Sequence, residues 1–192
     1  PDDFSQTCAA LDERSAAKDS NVTVSSTLPI MTDNVTFTFG GKSETVQLIV
    51  VPDDRTNDLD DYVRLEDESK EPLSLRDGDV YLSKSSQLVL GIQPGDTAQV
   101  QDSSLNVAKV KVSDISLNYL GNTLYMTQST YERAFGRSAR LNGIFVLLKG
   151  SSADQIALSK KLKSDGWLSI SSTAEHWENF EANFTIINSV VV

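Results

Sequence analysis

From Asn21 to Val51 apolar and polar residues alternate at a period of two, the spacing of half-buried strands. NVTVSST (Asn21–Thr27) predicts a strand that Pro29 ends. NVTFTF (Asn34–Phe39) and TVQLIVV (Thr45–Val51) flank Gly40-Gly41, the pattern of a β-hairpin. The continuous apolar run Leu48–Val51 predicts a strand central in its sheet. Ahead of these, Pro1–Lys18 reads as a helix with Phe4, Cys8 and Leu11 on one stripe. Asp53–Glu71 breaks the pattern: it is acidic and polar, with a short strand expected at Tyr62–Leu65.

The middle of the chain is punctuated more finely. A strand at Asp79–Leu82 leads through Ser83, a helix cap, into a helix Lys84–Leu90 that Gly91 closes. Pro94-Gly95 turns the chain into a strand Thr97–Gln101. Ser103–Asn106 is a second turn, and strands at Val107–Val112 and Ile115–Leu117 follow. Strands this short and close together suggest a small barrel-like or sandwich-like lobe. Then come a strand Leu124–Met126, a helix Gln128–Phe135 capped by Thr127 and stopped by Gly136, and a buried strand Gly143–Lys149. A helix Ala153–Lys163 follows Ser151 or Ser152, and Trp167–Ser171 is a strand. In a last helix from Ala174, Trp177, Phe180, Phe184 and Ile187 recur every three to four residues. Strands and helices in this order predict an α+β fold with helices on one face of the sheet.

Charge narrows the function. The 192 residues carry a formal net charge of -10, which argues against nucleic acid and against charge-driven binding to anionic lipid. One cysteine, Cys8, excludes an intrachain disulfide and a multi-cysteine metal site. One histidine, His176, would have to serve any Ser-His-Asp triad. It lies between Glu175 and Glu178, with Glu181 a turn on, and reads as part of a charged helix face. Asp53, Asp54, Asp58, Asp60 and Asp61 lack the alternate spacing, glycine and terminal glutamate of a calcium loop. Asn21, Asn34 and Asn183 begin glycosylation sequons, matches that arise by chance in threonine-rich strands. P-loop, dinucleotide-binding, HExxH and Gly-x-Ser-x-Gly motifs are absent. No cofactor is expected. The apolar end, FTIINSVVV (Phe184–Val192), reads as the start of a helix continuing into a membrane.

Four segments resemble the FtsX-like permease family, whose extracytoplasmic domains are related to that of the MacB transporter. They are GDVYLSKSSQLVLGIQPGDTAQV (Gly78–Val100), VSDISLNYLGNTLYMTQSTYERAFG (Val112–Gly136), LIVVPDD (Leu48–Asp54) and the terminal INSVVV. The resemblance implies a mixed α/β, MacB porter-like lobe beside the membrane, from 1–72 and 124–192, with a small β-rich lobe, 73–123, inserted. It implies a non-enzymatic domain on the extracellular face of a permease, coupling ATP-driven motion to export or to signalling. The implied partners are the permease's own transmembrane helices, a second permease copy, a separate ATP-binding subunit or domain, and an extracytoplasmic substrate or protein. Gln93, Pro94, Asn118, Tyr119 and Asn122 would be its partner-contact loops. A free-standing cell-surface binding module and an extracellular hydrolase are the alternatives from other classes.

Overall fold

The computed structural model describes residues 22–117 and 121–164. Among the described residues there are eight strands: β1 (Thr23–Phe39), β2 (Lys42–Val51), β3 (Val80–Ser83), β4 (Thr97–Gln101), β5 (Val107–Lys111), β6 (Asp114–Ser116), β7 (Thr123–Thr127) and β8 (Gly143–Lys149). A 3-10 helix spans Asp53–Asp61. The α-helices are α1 (Lys84–Leu90), α2 (Gln128–Phe135) and α3 (Ser152–Ser164). The fold is α+β. The chain divides into a unit Thr27–Val146 and a unit made of Pro1–Ser26 with Leu147–Val192.

Within Thr27–Val146 the sheet order is β5-β4-β1-β2-β7-β3-β6, with β8 pairing β1 off this path. The two ends of that order, β5 and β6, are one stretch of chain separated by Val112 and Ser113. Val112 exchanges backbone hydrogen bonds with the β4 side: its N–H donates to Asp96 O (2.9 Å) and its carbonyl accepts from Gly95 N (2.8 Å). The next residue turns to β3, Ser113 N donating to Val80 O at 2.8 Å and Ser113 Oγ accepting from Val80 N at 3.1 Å. The sheet therefore closes on itself as a barrel, with β5 and β6 forming one bent stave. Closure removes the exposed edges that an open sheet of this kind would present.

Alternation along the staves sorts residues by face. Phe37, Val46, Leu48, Val50, Val80, Leu82, Val100, Val110, Leu124 and Met126 belong to the interior cluster. Ile49, Val51, Tyr81 and Tyr125 belong to a second cluster on the outer face of β2, β7 and β3. The acidic stretch after β2 covers that outer face, placing Leu59, Leu65 and Leu75 upon it. Parallel pairing of β2 with β7 explains the unbroken apolar run at Leu48–Val51, because this part of the sheet is buried on both sides.

The helices leave from opposite ends of the barrel. β3 and β7 are antiparallel, α1 follows β3 directly, and α2 follows β7 directly. Each sends a side chain into the interior cluster, Leu90 from α1 and Tyr131 from α2. Both end on a left-handed glycine, Gly91 (φ 75) and Gly136 (φ 66). The helices thus close the barrel ends and do not line one face.

Other expectations meet the structure unevenly. The hairpin forms at Gly40-Gly41, both at positive φ, with Phe39 opposite Lys42. Pro29 does not end the first strand, and β1 runs on through it. The register sets Pro29 past the end of β2, so the missing N–H costs no ladder bond there. Tyr62–Leu65 is not a strand; only Glu66 and Pro72 form an isolated bridge, and Leu65 is buried as an anchor. β8 is only half-buried. β3 pairs with β7 and β4 with β1, and β6 and β5 join the same sheet through β3 and β4. In the second unit, Ser151 caps α3, its Oγ accepting from Asp154 N at 3.2 Å. The helices expected at 1–18 and from Ala174, the strand Trp167–Ser171, Cys8, His176 with its flanking glutamates, and the apolar end lie outside the described residues.

Candidate partner-contact surface

Three of the five expected contact residues are described, and all three lie at the α1 end of the barrel. Asn118 and Tyr119 lie outside the described residues. Gln93 and Pro94 are exposed in the turn between α1 and β4. That turn is held firmly: Gln93 N donates to Asp96 Oδ2 (2.9 Å), and Asp96 N donates to Gln93 O (3.0 Å). The Gln87 side-chain amide donates to Gln93 Oε1 at 3.3 Å.

Asn122 is a fastener. Its Oδ1 accepts from Ser85 Oγ (2.7 Å), its amide nitrogen donates to Glu44 Oε1, and its carbonyl accepts from Gln47 N (2.8 Å). It ties the start of α1 to β2. Ser83 opens α1 as expected, but its hydroxyl makes no cap bond to the helix backbone. It accepts from Thr123 N (3.1 Å) and meets Ser85 and Ser86, linking β3 to β7. Close by, Glu44 Oε2 and Thr123 Oγ1 are buried with no hydrogen-bond partner.

Three residues of this end went unnoticed in the sequence. Leu88 is 71% exposed and Val89 51% exposed on α1, and the Lys42 ammonium donates to Val89 O at 3.0 Å. A signal was there. Leu88, Val89 and Leu90 are consecutive, and at 3.6 residues per turn three neighbours cannot all face one core. Across the hairpin from Lys42 begins an open groove of 440 Å³, lined by Thr38, Phe39, Gly40, Thr97, Ala98, Gln99 and Lys109.

The opposite, α2, end is built from ion pairs and caps. Thr127 Oγ1 accepts from Thr130 N (3.2 Å), while Asp53 takes both Ser129 N (3.2 Å) and Ser129 Oγ (2.7 Å). Asp77 pairs with Arg133, which holds its carboxyl below the usual carboxylate range. Arg137 lies over the Tyr131 ring, donates to its hydroxyl (2.7 Å) and pairs with buried Asp102 (3.1 Å). Asp58 pairs with Arg55. Among the described residues no group of three or more His, Cys, Asp or Glu side chains is placed to hold a metal ion.

No family model matches the chain, and no curated protein does. Among solved structures it is similar to the periplasmic region of MacB from Actinobacillus actinomycetemcomitans. That likeness has 18% identity over 81% of this chain and 72% of that one, at a TM-score of 0.44. It is also similar to the extracellular domain of the noncanonic ABC-type transporter YknZ from Gram-positive bacteria. There the identity is 15% over 81% of this chain and 82% of that one, at a TM-score of 0.47. Both are likenesses of backbone at low identity.

Proposed function

We propose that this chain is the extracytoplasmic domain of an ABC-transporter permease, standing on the extracellular face of the membrane. It carries ATP-driven motion outward, to the export of a substrate or to signalling with an extracytoplasmic partner. The ATP is hydrolysed by a separate subunit or domain, and the permease works as a dimer. One observation supports the reading most. The internal segments on which the family resemblance rests all fall in one barrel, four of their strands running side by side as β2-β7-β3-β6. Gly78–Val100 supplies β3, α1 and β4; Val112–Gly136 supplies β6, β7 and α2; and Leu48–Asp54 supplies the end of β2. They make two strand–helix units that point to opposite barrel ends, an arrangement suited to passing movement from one end to the other. The described helices include none long and apolar enough to cross a membrane.

The test uses the intact gene product in its host. In a Cys8→Ser background, Gln93→Cys is treated with a membrane-impermeant maleimide on whole cells. The expected result is labelling of a protein that stays in the membrane fraction after alkaline carbonate washing. Recovery of the protein in the soluble fraction would overturn the proposal in favour of a free-standing binding module.

A further inference from the structure

We infer that the α1 end of the barrel is a docking site for an acidic peptide segment carrying apolar side chains. The inference rests on the proposed function, because it names the kind of extracytoplasmic partner that this domain would meet.

Three observations lie side by side. Leu88 and Val89 stand out from α1, 71% and 51% exposed, although burial of such side chains is favourable. The Lys42 ammonium sits on the Val89 carbonyl at 3.0 Å, so a cation borders the apolar pair directly. Lys42 faces Phe39 across the Gly40-Gly41 turn, and there the 440 Å³ groove begins. The groove offers the hydroxyls of Thr38 and Thr97, the amide of Gln99, the half-buried ring of Phe39 and the ammonium of Lys109. No carboxylate lines it among the described residues. Neither Lys42 nor Lys109 is ion-paired among the described residues. Three acids of this end already have partners: Asp96 accepts from Gln93 N, Glu44 from Asn122, and Glu68 is taken by Lys84.

In a chain of net charge -10, an apolar pair beside Lys42 and a groove carrying Lys109, neither lysine ion-paired among the described residues, make a local reversal of sign. Its electrostatic complement is negative, and its apolar complement is a leucine-like side chain. The groove supplies donors and a flat ring where an extended backbone could lie. Burial of Leu88 and Val89 would provide the affinity, while Lys42 and Lys109 would set the orientation and the salt dependence.

The test uses the 192-residue chain and a fluorescein-labelled peptide of alternating aspartate and leucine, read by anisotropy. The expected result is saturable binding that weakens with salt. It falls at least about tenfold in Lys42→Glu, in Lys109→Glu and in Leu88→Ser, and is unchanged in Arg140→Glu near the other end. Lys109 and Leu88 are exposed, so those variants keep the test alive if Lys42→Glu disturbs α1. Equal binding by all variants would overturn the inference, as would no binding at millimolar peptide. Equal affinity for an alternating lysine–leucine peptide, or preference for phosphatidylglycerol vesicles over the acidic peptide, would overturn it too. Failure here leaves the cell-surface labelling result standing, so the two proposals fail separately.

Discussion

The Asp102 side chain is fully buried and accepts hydrogen bonds from Ser104 N (2.9 Å), Asn106 N (2.8 Å) and the Asn106 amide, with the Arg137 guanidinium 3.1 Å away. Removing one partner of such a carboxylate leaves charge short of donors. Arg137→Met is therefore expected to cost about 2 kcal/mol, read by urea denaturation, with Asp102→Asn in the same background recovering part of the loss. The turn that Asp102 pins holds Leu105 at φ 66, a left-handed conformation that a leucine pays for. Leu105→Asn is expected to stabilise by about 0.5–1 kcal/mol, since asparagine tolerates that region. Tyr81 is a pH probe. Burial and its hydrogen bond to Asp79 push the phenol well above its ordinary value of 10.0. The unfolded chain then loses this proton before the folded one does. Its stabilising share is whole below pH 10.0 and is lost as pH rises from there toward the folded value. Thermal scans between about pH 9 and about pH 11 are expected to show a shallower fall in Tm for Tyr81→Phe than for the parent.

Among the elements, the bent stave β5–β6 decides the architecture, and its weakest place is the two-residue joint. Ser113→Pro deletes the N–H that donates to Val80 O, at a cost of about 3 kcal/mol. Hydrogen exchange is expected to speed up first at the Val112 and Val80 amides, both bonded at that joint; uniform acceleration through the barrel would contradict a local seam. What the sequence made legible follows the same divide. The Gly40-Gly41 hairpin, the Thr127 cap and the left-handed stops at Gly91 and Gly136 are local chemistry, written within a few residues, and they were read correctly. Barrel closure was not legible, because it joins Ser113 to Val80 and Val112 to Asp96, pairings that no local pattern announces. The cover that the acidic stretch Asp53–Glu71 lays on the outer face is not legible either, since its single buried anchors Leu59 and Leu65 have no period. Gln93 and Pro94 could be placed on an exposed turn from their residue types alone. The fastening role of Asn122 depends on Ser85 and Glu44, far away in sequence, and was hidden.

For the whole molecule, the ring of backbone ladders is completed within Thr27–Val146. That stretch alone is expected to show sheet-type circular dichroism and a cooperative thermal transition. A broad, non-cooperative melt would show that it needs the rest of the chain. Trp167 and Trp177 fall outside this stretch, so dichroism and tyrosine fluorescence are the measurements to use.

Because α1 and α2 leave from opposite ends of the barrel, a pull between them is directed along the staves. Inter-strand hydrogen bonds lie across the strands. Such a load shears whole ladders at once and does not peel them apart bond by bond. Along this axis the barrel is a stiff strut, strongest in the direction in which its two helices would tug on it.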